Sequence, residues 1–274
     1  MPSDLHIHTT FSDGRLTPEN IVLAAKKAGL AYIAITDHDT LEGIRHLYEA
    51  GLYPGRGIKI IPGIEFSAHN VGHEIHILGY NIDIFNTALQ EKLDEVVEGR
   101  WTRFSLILGK LQELGYPLKE ADVLKIAAES KSISRSHIGQ ALVQRGFFPT
   151  VGAAFDELLH KNGPAYVSHY RLTVAEIIGL IKGAGGLAVL AHPQLVGDDA
   201  LVEEVIAAGI EGLEVFYPQH SAADTLKYRQ LAEQHHLLLT GGSDYHAIPS
   251  RYPQQLGEFV IEDRYAAGIC QYGK

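Results

Sequence analysis

The chain is poor in what several chemistries require. One cysteine, Cys270, in 274 residues excludes an intrachain disulfide and leaves no thiolate set for a metal cluster; a cysteine nucleophile is not expected either. No run approaches the roughly 18 apolar residues of a membrane span, and Asp4, His6 and His8 stand where a signal peptide would carry its apolar segment. We therefore expect a protein of the reducing cytoplasm, with no membrane partner. Glycine loops of the Walker or dinucleotide type are missing, so no organic cofactor is expected. Basic residues number 23 against 33 acidic, a formal net charge of -10. That balance speaks against gripping long duplex nucleic acid, which needs basic surface to neutralise many phosphates. Small anionic substrates stay open. There is no internal repeat and no low-complexity stretch.

What is abundant is histidine beside acid, in short motifs spread over nearly the whole chain. These are Asp4-Leu5-His6-Ile7-His8, Asp13, Thr36-Asp37-His38-Asp39, Gly63-Ile64-Glu65, Glu74-Ile75-His76-Ile77-Leu78-Gly79-Tyr80, Ala191-His192-Pro193 and Gly242-Ser243-Asp244-Tyr245-His246. Neutral imidazole and carboxylate are the ligands that zinc, manganese or iron takes, and several motifs directly follow apolar, strand-like segments.

A composition of 46% hydrophobic and 20% charged residues can bury a large core. The coarse path alternates strand and helix. Thr17-Pro18-Glu19 reads as a helix start and Gly29 as its stop. Short apolar strands are expected at 31–36, 58–61, 187–191, 212–216 and 237–240, with helices at 173–182, 200–208 and 222–234. This is the rhythm of an α/β barrel, with His38, Glu65, His192, Glu214 and Asp244 at strand C-terminal ends, where such barrels assemble active sites. From Asn86 to about Gly163 the strand signal gives way to helical stretches at 89–114, 119–129 and 136–145. We read residues 86–163 as a helical insertion over the barrel mouth, and 1–85 with 164–274 as the barrel. After a strand at 257–261, residues 262–274 show no clear element.

His6 and His8 alternate on a strand, so both imidazoles face one side, as two bonds to one ion require. A plain surface or core pair would read the same. Asp13, in Phe11-Ser12-Asp13-Gly14, also fits a simple turn. Asp37 and Asp39 fit second-layer contacts to His38 or caps of the helix that follows. Glu65 closes an apolar strand, where an unpaired carboxylate is costly. His76, His192, Asp244 and His246 complete the candidates. His46, His69, His73, His160, His169, His235 and His236 lack a motif and read as solvated, loop or capping residues.

Taken in order, DLHIHT, ITDHD, PGIEFS, HILGY, AHP and GGSDYH resemble the PHP (polymerase and histidinol phosphatase) family of metal-dependent phosphoesterases. The likeness is greatest to its stand-alone branch of nucleoside 3',5'-bisphosphate phosphatases and 5'-3' RNA-trimming enzymes. The resemblance implies a distorted TIM-like (β/α)7 barrel and two to three divalent ions. Their ligands would be His6, His8, Glu65 and Asp244; Glu65, His76 and His192; and Asp13, His38 and His246. Manganese, iron or zinc is expected over magnesium, because nitrogen ligands dominate. It further implies hydrolysis by attack of a metal-bound hydroxide on a phosphate monoester, with Asp244 at the catalytic centre. Ser134-Arg135-Ser136-His137-Ile138 resembles the family's substrate-phosphate clamp, in which Arg135 offers a bidentate fork and His137 a second donor. Lys161 is a weaker third donor. His220 is a candidate to protonate the leaving oxygen or contact the base, and Glu214 to sit behind the ligands. The leading expectation is removal of the 3'-phosphate from nucleoside 3',5'-bisphosphates. The alternatives are 5'-3' trimming of short 5'-phosphorylated RNA, C–N amide hydrolysis at the same metals, and a metal-bound module without catalysis.

Overall fold

The computed structural model describes residues 1–68, 73, 75–128, 130, 132–168, 172–249 and 251–272; His69, Glu74 and His169 lie outside them. Thr17 caps helix α1 (Pro18–Lys27): its hydroxyl accepts from the Asn20 N–H, and Pro18 stands in the first turn, where a missing N–H costs nothing. The helix follows β1 (Pro2–Ile7) and leads to β2 (Tyr32–Ile35), helix α2 (Glu42–Glu49), and β3 (Lys59–Ala68), which turns back as β4 (Ile75–Tyr80). Then come five helical segments: α3 (Thr87–Glu113), α4 (Glu120–Ala127), α5 (Arg135–Gln144), α6 (Val151–Ala154) and a π-helical turn, Phe155–Leu159. Alternation resumes with α7 (Val174–Gly183), β5 (Leu187–Leu190), α8 (Asp199–Ala207), β6 (Gly212–Phe216), α9 (Ala222–Gln234) and β7 (Leu238–Gly241), and ends with β8 (Ile261–Glu262) and α10 (Asp263–Gln271).

The strands lie in the order β7-β6-β5-β4-β3-β2-β1-β8. Neighbours are parallel except that β4 runs antiparallel to both β3 and β5, and β8 antiparallel to β1. Just past β7, Tyr245 bridges Ile7, and the His8 N–H donates to the Tyr245 carbonyl at 2.9 Å, which nearly closes the barrel. The strands are buried on both faces, which is why they read as continuous apolar runs. One face packs under the helices through Ile33, Ile64 and Ile77, among others. The other fills the barrel with Leu5, Ile61, Leu78, Tyr80 and Val189, and Ile269 and Cys270 of α10 plug one end. Between β4 and β5, Phe104, Ile107 and Leu111 of α3 join Ile138, Leu142 and Leu159 in a separate apolar cluster.

Three local expectations change. β3 does not stop at Ile61: it runs on through Glu65 to Ala68, because it pairs residue for residue with β4. The 257–261 strand is reduced to Ile261–Glu262, and the tail beyond it is helical, its apolar residues Ala266, Ile269 and Cys270 supplying the barrel plug. No helix among the described residues is long and apolar enough to cross a membrane.

Candidate metal centre

Glu65 is the hub of the site. Its Oε2 lies 3.2 Å from His6 Nε2, 3.2 Å from His8 Nε2 and 3.1 Å from His38 Nδ1. Its Oε1 lies 2.8 Å from His76 Nδ1 and 3.1 Å from His192 Nε2. Asp13 Oδ1 faces His246 Nε2 at 3.1 Å and His38 Nε2 at 4.0 Å, while Asp244 Oδ1 faces His8 Nε2 at 3.2 Å and His6 Nε2 at 3.6 Å. All nine residues singled out by the motifs are thus brought into one connected cluster at one end of the barrel. Among the described residues, three sets put ligand atoms within 4.8 Å of one another: His6, His8, Glu65 and Asp244; His8, Asp13, His38 and His246; and His38, Glu65 and His76. The second set gains His8 over the grouping that the resemblance implies. In the third His38 stands where His192 was expected, although His192 approaches the same Glu65 oxygen.

The fit to metal is tested by hydrogen bonding. His6 Nε2, His8 Nε2, His38 Nδ1, Asp13 Oδ1 and Glu65 Oε2 are buried and have no hydrogen-bond partner among the described residues. Burying five such atoms unpaired would cost several kcal/mol in sum, about 1–3 kcal/mol each, whereas a divalent cation satisfies nitrogen and oxygen lone pairs together. The carboxylates and two of the histidines carry the charge states that use requires, while, against burial, the carboxylates around His6 and His8 raise both rings above the ordinary histidine value until metal displaces the proton. Burial alone would raise the Glu65 carboxyl, but His38, His6 and His76 around it hold it well below the usual range. Asp13 and Asp244 behave likewise, against His246 and against Arg251, respectively. Burial keeps His38 well below and His246 below the ordinary histidine value. Ionised carboxylate and neutral imidazole are the forms that bind metal.

A further layer of acids holds these ligands. Fully buried Glu214 accepts from His6 Nδ1 at 3.0 Å and from the His192 N–H at 2.8 Å, which turns His6 Nε2 toward the centre. Asp4, whose carboxyl burial pushes up to about 6, accepts from the Ser243 N–H at 2.8 Å and ties β1 to the Asp244 loop. Neither Asp37 nor Asp39 caps α2, which lacks a side-chain cap. Asp37 instead accepts from the Thr9 N–H at 2.7 Å and the Ser12 hydroxyl at 2.5 Å, folding the loop that carries Asp13. Asp39 is paired with buried Arg100 of α3. Asp39, His192 and Asp244 adopt φ of 50°, 27° and 52°, unusual for residues with a side chain and concentrated here at strand ends.

Above the cluster opens a cleft of about 630 Å³. Asp13, His38, Glu65, His76, Asp244 and His246 form its floor, and four arginines, Arg100, Arg103, Arg135 and Arg251, stand in its walls. Ser134 caps α5 and donates to Asp13 Oδ2 at 3.1 Å, so the cleft's helical wall is bonded to its floor. The Arg135 guanidinium lies over the rings of Phe155 and Tyr166, at 5.4 and 5.6 Å, and donates to the Leu159 carbonyl at 2.8 Å.

The sequence pattern of the PHP domain matches residues 4–160, more than half of the chain. The chain belongs to the PHP family. It is 36% identical to the 5'-3' exoribonuclease Rnm of Salmonella typhimurium, over 89% of this chain and 84% of that protein. It is 34% identical to the 3',5'-nucleoside bisphosphate phosphatase of Chromobacterium violaceum, over 89% of this chain and 87% of that protein. Among solved structures, one from Bifidobacterium adolescentis described as a metal-dependent phosphoesterase superposes with a TM-score of 0.87 at 31% identity, covering 97% of this chain and 94% of that one. This PHP protein is a metal-dependent phosphoester hydrolase on a distorted TIM-like barrel.

Of the substrate residues expected from the PHP resemblance, Ser134 and Arg135 stand in the cleft wall. The cleft lining leaves out His137, Lys161 and His220. His137 is buried: its Nδ1 accepts from the Ser134 N–H at 3.1 Å and it also bonds the Ser12 backbone, so it links α5 to the Asp13 loop. Lys161 Nζ donates to the His73 carbonyl at 2.5 Å. His220 Nδ1 donates to the Val215 carbonyl at 2.9 Å, and its ring packs on Tyr217 and Tyr228. Sequence reasoning passed over Arg100, Arg103 and Arg251. The first two share a face of α3 at an i, i+3 spacing, a faint signal in a helix rich in charge. Arg251 lies in an irregular loop with no periodicity to mark it.

Proposed function

We propose that this enzyme removes the 3'-phosphate from small nucleoside 3',5'-bisphosphates. One observation carries the reading: seven of the nine cluster residues and four arginines line one cleft whose volume suits one nucleotide rather than a polymer. The centre would hold manganese, iron or zinc in up to three positions: on His6, His8, Glu65 and Asp244; on Glu65, His76 and His192; and on Asp13, His38 and His246. Such ions supply Lewis acidity, which activates a water and offsets phosphoryl charge.

The chain's own residues supply position. Glu65, ionised among imidazoles, joins two of the three ligand sets through its separate oxygens. Arg135, lying over the Phe155 and Tyr166 rings in the cleft wall, brings a planar guanidinium suited to a phosphate. His220, whose Nδ1 is bonded to its own loop while its buried Nε2 has no hydrogen-bond partner among the described residues, is kept as the candidate to protonate the leaving oxygen or contact the base. We also propose that residues 86–163 act as a substrate cap on a barrel made of 1–85 and 164–274. The separate apolar cluster of α3 to the π turn, and the arginines it brings to the cleft, support that division. The single buried cysteine suits a reducing cytoplasm.

The test is phosphate release by the manganese-loaded protein from adenosine 3',5'-bisphosphate, beside 5'-AMP and a short 5'-phosphorylated RNA, with Asp244→Asn as the blank. Release from the bisphosphate alone is the expected result. Mononucleotides released from the RNA would move the assignment to the nuclease, which shares the same centre. Arg135→Ala should raise KM for the bisphosphate by about tenfold or more, since it removes a charge-assisted fork; an enzyme acting on neutral C–N substrates would be spared.

A further inference from the structure

Arg251 stands in the loop after β7, beyond every motif discussed above. Its Nη2 donates to Asp244 Oδ2 at 2.6 Å, and the Tyr217 hydroxyl donates to the same oxygen at 3.0 Å. The other oxygen, Oδ1, turns toward His8 and His246 at 3.2 and 3.4 Å. Asp244 is therefore divided: one oxygen serves the metal cluster and the other anchors a guanidinium. Arginine carries five N–H donors in a rigid fork. Among the described residues Asp244 is the one acceptor on which the Arg251 side chain is held, yet the side chain is 37% exposed and forms part of the cleft wall. A partner that merely neutralised Asp244 would have no need to face the cleft. Only the width of one carboxylate separates this guanidinium from the centre.

We infer that Arg251 is a substrate-contacting residue: anchored on Asp244, it offers its remaining N–H donors to a non-bridging oxygen of the phosphoryl group held over the metal cluster. The inference rests on the phosphoester reading above and assigns Arg251 a different task from Arg135. Arg135 comes from the helical segment and would hold the part of the nucleotide that does not react. Arg251 comes from the barrel, beside the reacting group, where developing negative charge is greatest. Its loss should therefore fall on kcat, and loss of Arg135 on KM.

Binding of inorganic phosphate to the manganese-loaded protein tests this without depending on which ester is hydrolysed. Calorimetry would compare wild type, Arg251→Gln and Arg251→Lys, with manganese content measured in the same samples. The expected result is unchanged manganese in both variants, phosphate binding weaker by about tenfold or more in Arg251→Gln, and partial recovery in Arg251→Lys. Unchanged phosphate binding in Arg251→Gln would overturn the inference. So would manganese loss in parallel with phosphate loss, because Arg251 would then only position Asp244. Phosphate binding that depends on Arg251, in a protein inactive on the bisphosphate, would refute the proposed substrate and leave this inference standing.

Discussion

Glu65 and Glu214 hold the two ends of the same histidine, and their substitution should separate two roles. Glu65 meets His6 Nε2, and Glu214 meets His6 Nδ1. Removing the Glu65 charge withdraws a ligand from two of the three proposed ion positions. Glu65→Gln should therefore lower metal content by at least one ion per chain and cut kcat/KM by about 100-fold or more, read by elemental analysis and by phosphate release. Glu214 touches no ion in the proposed arrangement. Glu214→Gln keeps the shape but loses the charge that orients His6, so it should weaken metal affinity by about 10- to 100-fold, measured by chelator competition, with stoichiometry retained at saturating metal. At this scale the ligands were legible, because histidine and acid at strand ends form a local pattern. His137 shows the limit: it lay in the right motif, and only its contacts with Ser134 and Ser12 reveal that both nitrogens are already engaged.

Two elements decide whether the barrel closes properly, one at each end. At the metal end, a Cβ on Gly242 would run into the His6 backbone and Cβ, because the loop after β7 crosses β1 there. Gly242→Ala should therefore destabilise the fold by about 1–3 kcal/mol and also impair metal binding, seen in denaturant unfolding and metal content together. At the opposite end, past the far terminus of β4 from His76, Asn81 Nδ2 donates to the Ile269 carbonyl and the Ile269 side chain is fully buried in the plug. Ile269→Ala should cost about 2–5 kcal/mol of stability while leaving metal content and kcat unchanged in the folded protein. The plug helix was not read from the sequence because its nine residues are too short a window for a period to be counted with any force; what makes α10 stable is the open barrel end it covers. The extension of β3 was hidden for a related reason, since Glu65 looked like a strand end until its cross-strand partner Leu78 was known.

For the molecule as a whole, metal binding and folding are coupled through the same protons. Without metal, burial works against charge on His8, but Asp244 and Glu65 raise it from the ordinary 6.5 to about 9. A histidine raised on folding stabilises the protein below its unfolded value and loses that contribution as pH climbs through the folded one. The metal-free protein should therefore lose thermal stability between about pH 6.5 and 9. Metal competes for the same lone pairs and binds the neutral ring, so the loaded protein should hold or gain stability over that range. Melting curves with and without chelator across that window would check this; parallel curves would contradict it.

By itself the sequence determined the alternation of strand and helix, the long helical stretch between β4 and β5, and which imidazoles and carboxylates follow strands. These are local patterns of period, capping and motif, carried by neighbours in the chain. Tertiary structure alone decided which residues share a lone-pair neighbourhood. It sets Glu65 against five histidines drawn from two strands and three loops, ties His137 and His220 to backbone carbonyls or amides, and brings Arg100, Arg103 and Arg251 to one cleft. Such convergence is a property of barrel closure, and no window of sequence contains it.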